Sequence, residues 1–187
     1  MQSVVEKQLA NISAAVHDWD ANVERVVKAC KLIDEAQSGL YHLMSLSLAD
    51  FAGTCVDQLN NSLKLKLGLA QERSFDEVNR LNRSTMKIII SLNQLASTTS
   101  TASTAEPPDS SRINCISVFL ALVESFRSVL LNEYDLIRAY HTNKVYSGVE
   151  QPLVLRKSVT HDPQTHFVSK LWSERYLDQL NMLSLLL

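Results

Sequence analysis

VEKQLANISAAVHDWDANVERVVKACKLI, residues 5–33, is the stretch that decides the fold of this chain. Its apolar side chains recur at alternating spacings of four and three residues: Val5, Leu9, Ile12, Val16, Trp19, Val23, Val26, Cys30 and Ile33. A period of 3.5 places them on one face of an α-helix for roughly four heptads, and such a face needs another helix to cover it. The sequence therefore predicts a first helix from about Val4 to Gln37, ended by Gly39.

A second seam of the same period follows the motif Ser74-Phe75-Asp76-Glu77, which reads as a capping box at the start of a helix. The seam comprises Val78, Leu81, Thr85, Ile88, Leu92 and Leu95. Between the two seams, residues 40–69 are less regular, and their last part, residues 63–69, alternates like a short strand. We favour a helix for residues 63–69 because they continue a helical stripe.

Two segments lack helical periodicity. Residues 97–111 read STTSTASTAEPPDSS, which predicts a flexible linker because almost nothing apolar is available to offset its ordering entropy. Its hydroxyls leave two roles open, a tether and a cluster of phosphorylation sites. Residues 143–161 predict an extended arm, with Leu153, Val154 and Leu155 lying over the bundle.

The second half of the chain supplies the remaining helices. A broad apolar stripe predicts a helix over residues 111–141, and Asp162-Pro163 predicts the start of a last helix. With only 4 Gly and 4 Pro in 187 residues, the fold class is all-α. We expect four to five long helices in a single domain, residues 1–187.

Composition excludes several functional classes. The 18 basic and 20 acidic residues are interspersed, so nothing indicates nucleic-acid binding. The chain starts with neither a signal peptide nor a transit peptide, and no run of about 18 apolar residues predicts a membrane span. We expect an intracellular protein of the cytoplasm or nucleus, with Cys30, Cys55 and Cys115 as buried free thiols.

Motifs for chemistry are absent from the sequence. No nucleophile, metal, dinucleotide or phosphate motif occurs, so we expect no cofactor, no metal site and no enzymatic activity. A lesser alternative is an enzyme with a dispersed site, which would bring together distant polar residues: His42, Asp50, Glu133, Tyr134, Arg138 and His141.

Recognition of another protein is the leading hypothesis. Trp19 is large for a seam position, so it is either a core residue or an anchor for a partner. Leu183, Leu186 and Leu187 match the LxxLL pattern of helices that dock into grooves, but they also suit the chain's own core or the cut end of a longer protein. The layout is generically similar to helical subunits of assemblies such as transcriptional regulator complexes, an analogy of fold style only.

The hypothesis is thus a protein–protein interaction module that binds its partner through an apolar helix face, in a homo- or hetero-oligomer. The alternative is a helical bundle that holds a lipid or another small hydrophobic ligand in an apolar cavity.

Overall fold

A computed structural model of the chain describes residues 2–45, 53–103, 110–146 and 170–186. These residues form four helices: α1 Gln2–Ser45, α2 Gly53–Ser103, α3 Ser110–Tyr146 and α4 Lys170–Ser184. The described parts contain no strand, so the all-α prediction is confirmed, and four helices agree with the predicted number.

The chain divides into two compact units. Unit 1 comprises Met1–Ala21, Leu81–Asp135 and Phe167–Leu187, and unit 2 comprises Asn22–Arg80 and Leu136–His166. Helices α1, α2 and α3 therefore each contribute a segment to both units. The prediction of a single domain is not tested by this division.

The predicted seams form the cores. All nine apolar seam residues between Val5 and Ile33 are at most 9% exposed, which confirms the seam in α1. On α2, the fully buried positions in unit 1 follow the heptad as well: Leu81, Thr85, Ile88, Leu92, Leu95 and Thr99. In unit 2, Ile33, Ala70 and Val145 form a buried cluster, against which Leu67 packs.

The sequence predicted that helix α1 ends at Gly39. The helix instead continues to Ser45, so this prediction is wrong. A Cβ atom at Gly39 would lie 3.1 Å from Cδ2 of Leu63, so glycine at this position permits the close approach of α2. Leu40 and Leu43 extend the buried face beyond it. Burial of Leu40 and Leu43 therefore outweighs the preference of glycine for a helix end.

Helix α2 is continuous where the sequence predicted two segments. Residues 63–69 are helical, as favoured, but no helix begins at Ser74. The Ser74 hydroxyl donates a hydrogen bond to the carbonyl oxygen of Gln71, at 2.6 Å, instead of capping a helix end. The predicted capping box is therefore wrong, because the same serine is a fully buried side chain inside the helix.

The predicted linker of residues 97–111 is wrong for residues 97–103, which belong to α2, and for residues 110–111, which belong to α3. Five consecutive hydroxyls, at positions 97–101, each donate to the carbonyl four residues earlier. Thr99 also continues the core, at 0% exposed. The buried Thr99 thus continues the core face of the helix, while the hydroxyls are satisfied on the preceding turn without adding to helix stability. Residues 104–109 lie outside the described residues.

Helix α3 runs to Tyr146 rather than His141, so residues 143–146 of the predicted arm are helical. The last turn is held by tertiary contacts: Val145 is buried, and Lys144 Nζ lies 2.7 Å from Oδ2 of Asp34. The remainder of the arm, residues 147–161, and the predicted helix start at Asp162-Pro163 lie outside the described residues.

Candidate docking groove and polar core

An apolar groove lies between α3 and α4 in unit 1, with a volume of about 540 Å³. Two walls line it: Val118, Ala121, Leu122 and Ser125 from α3, and Gln179, Met182, Leu183 and Leu186 from α4. We call this surface the α3/α4 groove. Its size falls within the range of natural ligand and peptide sites.

Aromatic stacking positions α4 against α3. The rings of Phe126 and Tyr176 are stacked, with centroids 5.3 Å apart and planes 10° apart. The hydroxyls of Ser125 and Tyr176 lie 2.8 Å apart in a hydrogen bond. Leu177 and Leu180 bury the inner side of α4. These contacts leave the outer side of α4 and the neighbouring face of α3 to form the groove.

The groove carries large exposed apolar side chains. Val118 is 56% exposed, Met182 62% and Leu186 63%, and Leu185 beside them is 67% exposed. Residues 113–123 of α3 and 179–186 of α4 include no Asp, Glu, Lys or Arg. An exposed apolar surface of this kind commonly marks an interaction site.

The predicted docking leucines contribute to this groove rather than protruding as a separate motif. Leu183 is half-buried and Leu186 is exposed, and both line the α4 wall. The Leu186 amide donates to the carbonyl oxygen of Leu183, at 3.0 Å, which holds Leu186 beside α4 after the helix ends. Leu187 lies outside the described residues.

The sequence left two roles open for Trp19, a core residue and an anchor for a partner, and in the structure its side chain lies in the core. It is 4% exposed, and its indole Nε1 donates to Oγ1 of Thr85 across 2.9 Å. Thr85 Oγ1 donates in turn to the carbonyl oxygen of Leu81, also at 2.9 Å. The polar atom of the indole is therefore satisfied inside unit 1, and Trp19 does not line the α3/α4 groove.

A buried polar cluster lies in unit 2, where His141 is 2% and Ser74 0% exposed. Nε2 of His141 lies 2.9 Å from Oγ of Ser74. Because the Ser74 hydroxyl donates to Gln71, its Oγ can accept a hydrogen bond from Nε2–H of His141. Phe75 packs edge-on against the imidazole, at 5.1 Å between centroids. The pair resembles a nucleophile and base in residue type, but substrate has no access to the buried hydroxyl.

Sequence reasoning missed this cluster and the buried Glu77 beside it along α2. Glu77 is 7% exposed, and its Oε1 lies 3.5 Å from Nη1 of Arg80. Its Oε2 has no hydrogen-bond partner among the residues that the structure describes. Continued backwards from Leu81, the alternation of three and four residues passes through Val78 and Ser74. That periodicity could have identified Ser74 as a core position, but it also predicted Val78 in the core, and Val78 is half-buried while its neighbour Glu77 is buried.

Acid is expected to destabilise unit 2 through His141. Burial lowers the pKa of this imidazole below its ordinary value of 6.5. The stabilising contribution is therefore present above pH 6.5 and is lost as the pH falls through the folded-state pKa, since the unfolded chain binds the proton more readily. Urea unfolding at about pH 7.5 and about pH 5 should show the difference between wild type and His141→Asn shrinking in acid. A difference that does not change with pH would contradict this prediction.

The residues of the predicted dispersed enzyme site have different surroundings. His42 and Arg138 are exposed, Tyr134 is buried, and burial raises the pKa of Glu133. Asp50 lies outside the described residues. The hydrogen bond of His141 is with Ser74, a residue that the predicted set did not include.

The three cysteines are free thiols, as predicted, but only Cys30 is buried. Cys55 is exposed and Cys115 is partly exposed, so the prediction of three buried thiols is wrong for these two. Burial raises the pKa of the Cys30 thiol to about 12, and the nearby Asp34 carboxylate adds a smaller increase. The ammonium group of Lys144 acts in the opposite direction and lowers this pKa slightly. Cys30 is therefore an unreactive core residue.

Two further features bear on function: the grouping of metal-binding side chains and the length of the apolar stretch in α3. Within the described ranges, no group of three or more His, Cys, Asp or Glu side chains could hold a metal ion. The stretch Ile113–Tyr146 of α3 is long and apolar enough to cross a membrane, with a mean hydropathy of 1.6 in a window that is 28% buried. One such helix is weak evidence, because the core helices of soluble proteins meet the same criterion. The absence of a membrane span thus stays a prediction.

Comparison with known proteins provides no relative of this chain. No protein-family model, no curated protein and no solved structure matches it.

Proposed function

We propose that this chain is a non-enzymatic protein–protein interaction module, a helical subunit of a multiprotein assembly such as a transcriptional regulator complex, in the cytoplasm or nucleus. The α3/α4 groove is its docking site. The observation that supports this proposal is the groove itself, an uncharged apolar surface whose walls include Val118, Met182 and Leu186, each more than half exposed.

Such a groove suits an amphipathic helix. A partner helix can place apolar residues from successive turns between two helices of the groove, and its polar face then remains in water. Burial of the exposed apolar side chains supplies the driving force, at about 25 cal/mol per Å² of apolar surface removed from water. The uncharged walls indicate that the contact face of the partner is apolar rather than acidic or basic.

A pull-down with two matched variants tests the docking site. Leu186→Glu places a charge in the groove, whereas Leu65→Glu makes the same change at a side chain of similar exposure, 63% against 65%, in unit 2. We expect wild type and Leu65→Glu to retain the same proteins from native extract and Leu186→Glu to lose them. Retention of the same proteins by all three, or of none by wild type, would contradict the proposal.

A second candidate function is binding of a lipid or another small hydrophobic ligand in the same groove. The observation that favours it is the volume of about 540 Å³ with mainly apolar lining residues. Native mass spectrometry of the purified chain would then show a co-purified ligand that Leu186→Glu lacks. A spectrum with only the mass of the protein would reject this candidate.

A further inference from the structure

We propose that Ser97, Ser100 and Ser103, at the end of α2, are phosphorylated by a Ser/Thr protein kinase that recognises a negative charge three residues after its acceptor, and that this modification unwinds the helix end. We call these three residues the serine series. The series lies in unit 1 and includes no residue of the α3/α4 groove, so it is independent of the proposed docking site.

The spacing of the series suits successive phosphorylation. Ser97, Ser100 and Ser103 recur at every third residue. In the sequence, Glu106 follows Ser103 at the same distance. A kinase with this charge preference can modify Ser103 first, and each new phosphate, with a charge of about −1.5 to −2, then marks the serine before it. Ser3 also precedes a glutamate by three residues, but as a single serine rather than in a series.

Accessibility distinguishes the series from other hydroxyls. Ser97 and Ser100 are exposed, whereas Thr99 between them is 0% exposed. Ser103 is the last residue of α2, and helix ends fray, so this position becomes available to a kinase first. Ser74 likewise precedes a glutamate by three residues, but its side chain is fully buried inside the helix.

The transfer requires ATP as the phosphoryl donor. The serine Oγ attacks the γ-phosphorus of ATP, a bond forms between Oγ and phosphorus, and the bond from this phosphorus to the bridging oxygen of ADP breaks. The hydroxyl proton passes to the catalytic aspartate of the kinase and from there to water. The products are a serine phosphate monoester and ADP.

Phosphorylation removes hydrogen bonds that the free hydroxyls make on α2. Oγ of Ser97 donates to the carbonyl oxygen of Asn93, and Oγ of Ser100 to that of Ala96, each at 2.9 Å. A phosphate ester oxygen carries no proton to donate. Phosphates three residues apart also lie on one helix face and repel each other. They meet the negative end of the helix macrodipole as well, and the last turn of α2 has no basic residue.

Unwinding of this end changes a contact between α1 and α2. Nε2 of Gln8 on α1 donates to Oγ1 of Thr98, at 3.1 Å, and the neighbouring Thr99 is fully buried. An unwound end withdraws the acceptor of Gln8 and exposes Thr99. Phosphorylation of the series therefore loosens the packing of α2 against the first part of α1.

Incubation of the purified full chain with casein kinase 2 and Mg-ATP tests the proposal, because this kinase prefers an acidic group three residues after the acceptor. Tandem mass spectrometry should locate phosphate on Ser103 first, and then on Ser100 and Ser97. Ser103→Ala should reduce the rate of modification at Ser100 at least about tenfold, since it removes the charge that the kinase recognises. Thr101→Ala is the matched control, since it changes an exposed residue of the same turn and should leave both rates unchanged.

Amide hydrogen exchange measures the effect on the helix. Residues 97–103 should exchange at least about tenfold faster in the phosphorylated chain, while residues 81–92 of the same helix keep their rates. Any of four results would overturn the proposal: no phosphate on residues 97–103, a Glu106→Gln variant modified at Ser103 like wild type, a Ser103→Ala variant modified at Ser100 like wild type, or unchanged exchange of residues 97–103 after phosphorylation.

Discussion

Replacement of Trp19 by alanine is expected to lower the free energy of unfolding by about 3–5 kcal/mol. The indole is 4% exposed in the core of unit 1, so its removal leaves a cavity that the neighbouring helices fill only in part. The change also removes the hydrogen bond from Nε1 to Thr85 Oγ1. Urea unfolding followed by circular dichroism at 222 nm measures the difference.

Two further variants separate the contributions of Trp19. Trp19→Phe keeps most of the apolar volume and loses the indole N–H, so we expect a cost of about 1–2 kcal/mol. Asp18→Ala changes an exposed neighbour on α1 and should shift the free energy of unfolding by less than about 0.5 kcal/mol. A Trp19→Ala variant as stable as Asp18→Ala would contradict the core position of this residue.

Replacement of Phe126 by alanine is expected to cost about 3–5 kcal/mol and to weaken the docking of α4. Phe126 is 0% exposed and stacks on Tyr176 of α4, so its loss removes core packing and an aromatic contact between α3 and α4. The groove depends on this docking. Urea unfolding measures the stability, and amide hydrogen exchange of residues 173–184 measures the docking.

Phe126→Leu is the matched variant, because it retains an apolar side chain and removes only the ring contact. We expect it to cost less than half as much as alanine and to leave α4 largely protected from exchange. If Phe126→Ala unfolds like wild type and α4 exchanges at the wild-type rate, the stacking contact does not hold α4 in place.

The fold could be predicted from sequence where the heptad is regular. The spacing of the apolar residues from Val5 to Ile33 was enough to predict that they are buried. A period of 3.5 residues keeps them on one helix face, which another helix must cover. Prediction was wrong where a local signal opposed a tertiary contact. Gly39 suggested a helix end, and only the position of Leu63 reveals why glycine is accommodated inside α1. The hydroxyls of residues 97–103 suggested a linker, but Thr99 is buried and extends α2.

The candidate site was predictable only in part. Leu183 and Leu186 were identified from their spacing, but the sequence left open whether they dock into a partner, join the chain's own core or mark the cut end of a longer protein. In the structure they line a groove of their own chain, because Tyr176 stacks on Phe126 and aligns α4 with α3. This pairing joins residues about 50 positions apart, and helical periodicity does not indicate which helices pair. Trp19 could not be assigned to core or surface without the position of Thr85.

Site-specific photocrosslinking tests the central claim, that the α3/α4 groove is the recognition surface, most directly. A photoreactive benzoylphenylalanine would replace Val118 in the groove and, in a separate variant, Leu65 in unit 2; these side chains are 56% and 65% exposed. We expect a covalent protein adduct on irradiation in native extract or concentrated solution at position 118, and none at position 65. An absence of adducts at position 118, or the same adducts at both positions, would contradict it.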